Sequence, residues 1–187
     1  MAEAATVMSL AQTWGTEPAE RALVFPCDAH LRGASAALFR GVDVRAAPAV
    51  LFRWLCQLRV APYSYDWIDN GGRRSPRTLT PGVERLALGQ RVMRIFSLVE
   101  FEAPRHLTLK LRPESVSARL FGDVAVSYVV VPQASDSCRL LVKLLVRHPT
   151  GLYGSILAWW LPWGDLAMMR RQLLNLKHLA EGHATRA

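Results

Sequence analysis

From Gly151 to Glu181 the chain reads GLYGSILAWWLPWGDLAMMRRQLLNLKHLAE, and no other stretch limits the fold as much. It opens with a nearly unbroken apolar run, Leu152 to Trp163, that holds three of the six tryptophans. Leu166, Met169, Leu173, Leu176 and Ala180 then recur at three- and four-residue steps, while Arg170, Arg171, Asn175 and Lys177 fall elsewhere on the wheel. A helix this apolar must lay its stripe against something broad. Gly151 to Met169 is about the length that crosses a bilayer. Pro162, Gly164, Asp165 and the amphipathic continuation point instead to a buried helix.

The surface for that helix comes from the preceding hundred residues, which read largely as strands. Phe39, Val42 and Val44 place a first strand near Leu38 to Arg45. Pro48 sits at a first helical position, and Val50, Leu51, Trp54, Leu55 and Leu58 form the buried face of a helix ending near Leu58, with Arg53, Gln57 and Arg59 outward. The segment PYSYDWIDNGG predicts a second short helix and then a long loop. From Leu86 to Arg147 the period becomes two. Met93, Ile95, Val99 and Phe101 share one parity, and Leu107, Leu109 and Leu111 alternate with His106, Thr108 and Lys110. Val124 to Val131 is apolar on both faces, as a central strand would be. Leu140, Val142, Leu144 and Val146 alternate with polar positions that include Arg139, Lys143 and Arg147, which places charge outward. The expected architecture is α+β: a curved antiparallel sheet wrapped around a long C-terminal helix, with two short helices after the first strand. Residues 1–36 read as a partly ordered arm anchored by Trp14, Leu23, Val24 and Phe25, residues 37–182 as one domain, and 183–187 as a disordered tail.

Composition narrows the function classes. The net charge of +8 comes from 20 Arg and 3 Lys scattered along the chain, and Arg73, Arg74 and Arg77 cluster only in a Gly-rich loop. No helix-turn-helix, zinc-finger or aromatic RNA-binding pattern accompanies the charge, so nucleic acid is not an expected partner. Cys27, Cys56 and Cys138 are odd in number and widely spaced, which fits free thiols in a reducing cytoplasm. The five histidines form no metal-binding pair, and no phosphate-cradling Gly loop or nucleophile elbow is present, so neither metal nor cofactor is expected. Asp66 and Asp69, three residues apart, would share a helix face and could act as an acid/base pair, although loop capping accounts for them as well. Tyr65 and Tyr128 are the polar groups expected to face a cavity, with Arg94 or Arg105 available to an anion. The weak catalytic candidates are thus Tyr65, Asp66 and Tyr128. His106 shares the polar parity of its strand and is expected to face solvent.

Several strings resemble the START-like (SRPBCC) superfamily, whose fold is the helix grip. AAPAVLFRWLCQL, residues 46–58, resembles its opening helix. YSYDWIDN, 63–70, and LALGQ, 86–90, are similar to a bacterial polyketide cyclase/dehydrase-like subgroup, in which Y-S-Y-[DE]-W leads to L-x-x-G-[DQ]. WGTEPAERALVFPCD, 14–28, resembles the subgroup's arm, with Cys27 where that arm has Gly. PWGDLAMMRRQL, 162–173, matches F-x-M-x-R-x-x-L at Met168, Arg170 and Leu173, with Leu166 where an aromatic is usual. The resemblance implies fold and subgroup; one fold serves many activities.

The expected ligand contacts are Tyr63, Tyr65, Trp67, Met93, Ile95, Leu107, Leu109, Tyr128, Leu144, Trp160, Trp163 and Met169. Two functions suit such a cavity: carriage of a lipid, isoprenoid or polyketide by desolvation, or aldol cyclisation and dehydration of a poly-β-ketone by an aromatase/cyclase. Trp159, Trp160 and Trp163 beside Pro162 add a third reading, peripheral contact with a membrane surface.

Overall fold

The computed structural model describes residues 9–65, 67 and 71–185. The alternating run from Ser137 to Arg147 forms the strand at the heart of the sheet's longest pairings. In chain order the strands are β1 (Ala36–Val44), β2 (Arg91–Val92), β3 (Phe96–Glu102), β4 (His106–Leu111), β5 (Asp123–Ala134) and β6 (Ser137–Arg147). They form one antiparallel sheet in the order β1-β6-β5-β4-β3-β2. β5 lies between β6 and β4, which explains why Val124–Val131 is apolar on both faces. The expected parity of β3 does not hold. A register shift between Leu98 and Glu100 puts Leu98 and then Phe101 toward the core, where strict alternation would have kept Val99 with Phe101.

The outer face of the sheet is covered by the arm. Helices α1 (Leu10–Thr13), α2 (Pro18–Arg21) and α3 (Cys27–His30) wrap round the free edge of β1. Gly41 of β1 donates its N–H to the Trp14 carbonyl at 3.2 Å, which occupies an otherwise open edge. Contact is close enough that a Cβ at Gly41 would stand 2.7 Å from the Gly15 oxygen. Farther along, Glu20 pairs with Arg139 at 2.6 Å and Asp28 with Lys143 at 2.6 Å, and the Lys143 ammonium lies over the Phe25 and Phe39 rings. Cys27, at the position where the resembled arm has Gly, starts a helix, and its N–H donates to the buried Ser127 hydroxyl at 2.8 Å. Of the expected anchors, Phe25 is buried and Trp14 packs against the core, joined by Ala11, Cys27 and Leu31; Leu23 and Val24 face solvent. His106 does not face solvent. The arm covers it, and with His30 it flanks Glu100.

The inner face carries α4 (Pro48–Cys56), a following 3₁₀ turn (Gln57–Arg59) and the long α6 (Leu152–Ala184). α5 (Val116–Phe121) links β4 to β5 where alternation alone had shown no helix. Gln57 is buried rather than outward, because its amide bonds Thr78 and Thr80 and pins the long loop. Only the second half of α6 packs as expected: Met169, Leu173, Leu176 and Ala180 are buried against Trp54, Leu55 and the strands. The expected burial of the first half is corrected. At 1.5 Å per residue α6 is about 50 Å long, whereas β1 spans about 30 Å. The first turns overhang, and Leu152, Ile156, Trp159, Trp160 and Trp163 are exposed.

One ion pair joins arm, sheet and helix. Arg40 has the inward parity of Val42 and Val44 and is 1% exposed. Its Nη2 donates to Asp165 Oδ2 at 2.6 Å, to the Ala11 carbonyl at 2.8 Å and to the Pro162 carbonyl at 3.4 Å, while Nη1 donates to the Phe39 carbonyl. Removing one member of such a pair strands a buried charge, at a cost of about 3–5 kcal/mol. A carboxyl can escape by taking a proton; a guanidinium cannot. Asp165→Leu is therefore expected to lose more stability in urea unfolding than Arg40→Met, and the double substitution less than the sum. Strictly additive losses would show that the pair acts as two unrelated contacts.

Candidate functional site: an apolar cavity under the long helix

The inward residues at one end of the sheet are not fully covered by α6, and a cavity of about 580 Å³ remains. Phe96 of β3, Leu111 of β4, Val124 and Val126 of β5 and Leu144 and Val146 of β6 form its floor. Leu161, Met168 and Met169 of α6 form its roof, and Met93–Ile95 and Phe121 its sides. The most exposed lining residues are Arg94, Phe121 and Gly164, so the mouth lies between the segment before β3, α5 and α6.

Two lining residues carry left-handed backbone, Met93 at φ 46° and Arg94 at φ 64°; Tyr63, between the lining residues Pro62 and Ser64, is at φ 57°. Non-glycine residues adopt this region only where the surroundings hold them there, and such strain gathers at binding sites. Met93 is held by its N–H donating to the Leu58 carbonyl at 3.1 Å.

Tyr128, Gln172 and Asp165 bring polar atoms to the wall, with Arg94 and Ser117 toward the mouth. Tyr128 donates its hydroxyl to Gln172 Oε1 at 2.7 Å, and Gln172 Nε2 donates to the Pro62 carbonyl at 2.6 Å. Asp165 lines the cavity while holding Arg40. Burial pushes the Asp165 carboxyl up to about 6, with the Arg40 charge and hydrogen bond opposing the rise. Burial, with the Asp165 charge nearby, holds the Tyr128 phenol well above its ordinary range, so it stays protonated and can serve as a donor. The arrangement is an apolar chamber with a neutral donor, an amide and a carboxyl that changes charge near neutrality.

Met93, Ile95, Tyr128, Leu144 and Met169, five of the expected contacts, lie on this wall. The other seven lie elsewhere. Tyr63 is buried in the core, edge-on to Trp54 and bonded to the Pro76 carbonyl at 2.7 Å. Leu107 and Leu109 are core residues, two and one alternations short of Leu111. Tyr65 lies under the Arg171 guanidinium, and Trp67, Trp160 and Trp163 are exposed. Asp66 and Asp69 fall outside the described residues. Arg105 pairs with Glu102 at the β3–β4 turn, far along the strand from the cavity residue Leu111, whereas Arg94 stands at the mouth. Sequence reasoning missed Asp165, Gln172 and Arg40 as site residues. A signal existed: one acid inside an apolar helical run, and one Arg on the inward parity of β1.

No family model matches the chain, and no curated protein matches it. Solved structures do. The di-domain ARO/CYC StfQ of the steffimycin biosynthetic pathway is 14% identical with a TM-score of 0.50, over 85% of this chain and 55% of that one. A START superfamily protein from Mycobacterium smegmatis is 13% identical, TM-score 0.46, over 80% and 97%. A norcoclaurine synthase point mutant from Thalictrum flavum is 15% identical, TM-score 0.48, over 79% and 94%. At such identity the likeness to the first shows a shared fold and nothing finer: the chain has the helix-grip fold.

The raised Asp165 carboxyl has a pH signature. Its folded value lies above the unfolded one, so its contribution to stability is complete below about pH 4 and is lost as pH rises through about 6, at most about 3 kcal/mol in all. The wild type is expected to lose stability relative to Asp165→Asn across that window, with a carboxyl carbon-13 midpoint near 6. A midpoint below 4 and parallel stability curves would contradict this.

Proposed function

We propose that the protein binds a hydrophobic small molecule of lipid, isoprenoid or polyketide type in the cavity between the sheet and α6, as a carrier or binding protein. The observation that carries this reading is a chamber with apolar floor and roof and a hydrogen-bonded Tyr128–Gln172 pair in its wall. Its volume of about 580 Å³ falls within the range of roughly 300–1,000 Å³ of small-molecule sites. An apolar body gains by leaving water for the walls of Phe96, Leu111, Val126 and Leu144, and a carbonyl or hydroxyl at its end meets Tyr128, Gln172 and Asp165. Arg94 at the mouth suits an anionic outer end.

A second reading is supported by Asp165 alone. A carboxyl titrating near neutrality beside an apolar chamber can take a proton from the carbon next to a ketone and return it in dehydration, the chemistry of an aromatase/cyclase. The protonated Tyr128 would turn its hydroxyl from Gln172 Oε1 to donate to the developing oxyanion. Here Asp165, rather than Tyr65 or Asp66, is the base. Asp165→Asn should then abolish turnover of a poly-β-ketone thioester while leaving its binding intact.

For the binding reading, Leu144→Trp is expected to fill the chamber without touching the ion pair. Fluorescence titration with cis-parinaric acid should show saturable binding to the wild type, weakened about tenfold or more in the variant, at unchanged melting temperature. Equal affinity in both would remove the cavity from the account.

A further inference from the structure

The first turns of α6 bury Gly154 and Pro162 yet leave a second apolar face uncovered. Leu152, Tyr153, Ile156, Trp159, Trp160 and Trp163 recur at helical spacing along that face, and the three indoles are 66%, 62% and 50% exposed. α5 adds Val116, Leu120 and Phe121, also exposed, and is tied to the stripe by the Tyr153 hydroxyl, which donates to the Leu120 carbonyl at 2.9 Å. A soluble domain seldom exposes an apolar patch of this extent without a partner for it.

We propose that this face docks on an anionic lipid bilayer, with the helix lying along the interface and the cavity mouth turned toward the lipid. The composition favours a bilayer over a second copy of the chain. Tyr and Trp rings have an apolar body and a polar edge and concentrate at the water–hydrocarbon boundary. Charge is complementary to anionic headgroups: residues 115–122 and 148–164 contain no Asp or Glu, while Arg119 is exposed on α5. The two carboxylates of α6 are removed from the face, Asp165 being buried against Arg40 and Glu181 standing at the far end in contact with Lys177. The chain's net charge of +8 adds long-range attraction. Position is the second argument. Trp163 directly precedes Gly164, and Phe121 belongs to both patch and mouth, so the docked surface borders the opening of the chamber on its α5 and α6 sides. A lipid-like molecule could pass from bilayer to cavity without crossing water. The passage rests on the binding reading; the docking does not.

The test is flotation with vesicles of phosphatidylcholine and phosphatidylglycerol at low salt, with brominated lipid as a tryptophan quencher. The wild type should float, with quenched and blue-shifted emission, and high salt or pure phosphatidylcholine should weaken binding. Trp159→Ser/Trp160→Ser/Trp163→Ser changes only exposed positions and should lower vesicle affinity about tenfold or more, while its cis-parinaric acid affinity in solution stays that of the wild type. Floating by the triple variant as well as the wild type would overturn the proposal. So would a wild type that fails to float and sediments as a dimer that the triple variant dissolves, which would make the face a contact between copies. Absence of cis-parinaric acid binding in wild type and variant alike, with the wild type alone still floating, would overturn the binding reading and leave the docking standing.

Discussion

Three parts of the chain that are far apart in sequence meet at the Arg40 guanidinium. The arm supplies the Ala11 carbonyl, the first strand supplies Arg40 itself, and the long helix supplies Asp165 and the Pro162 carbonyl. A charge buried to 1% exposure tolerates little displacement of its partners, because each hydrogen bond lost leaves desolvation uncompensated. This fixes the height of α6 above the sheet. From Leu173 on, the packed second half of the helix closes the core; around the pair, from Leu161 to Gln172, the helix roofs the chamber. The same interaction therefore holds the fold together and sets the depth of the site.

It also sets the site's electrostatics. Asp165 is pulled toward the neutral form by burial and toward the charged form by Arg40, and burial prevails, pushing the carboxyl up to about 6. Tyr128 and Gln172 sit beside it with their mutual hydrogen bond made, which positions the pair without leaving an amide idle. A hydrogen-bonded polar pair set in the wall of an apolar chamber orients a ligand at small entropic cost.

The helix-grip fold was legible because the patterns behind it are local. Alternation at Leu140–Val146, the proline before Val50 and the helical spacing from Leu166 to Ala180 each express a burial requirement of their own element. The cavity wall was only half legible. Parity tells which residues face inward, but not how far along a strand the covering helix reaches, so Leu107, Leu109 and Leu111 look alike in sequence while only Leu111 meets the chamber. Aromatic residues misled for a related reason. Tyr63 and Trp160 are both bulky and near inward positions, yet one fills the core and the other lies on an overhang that only the lengths of helix and sheet together determine. The bulge between Leu98 and Glu100 had no sequence signal at all, and Arg40 with Asp165 needed two lone charges to be matched across more than a hundred residues.

The central claim is an occupied cavity, and native mass spectrometry of the freshly purified protein, with organic extraction of what it releases, tests it most directly. The expected result is an apolar adduct on the folded wild type that is lost on denaturation and absent from Leu144→Trp. A wild type that is clean as purified and stays clean after incubation with a lipid extract would contradict the account.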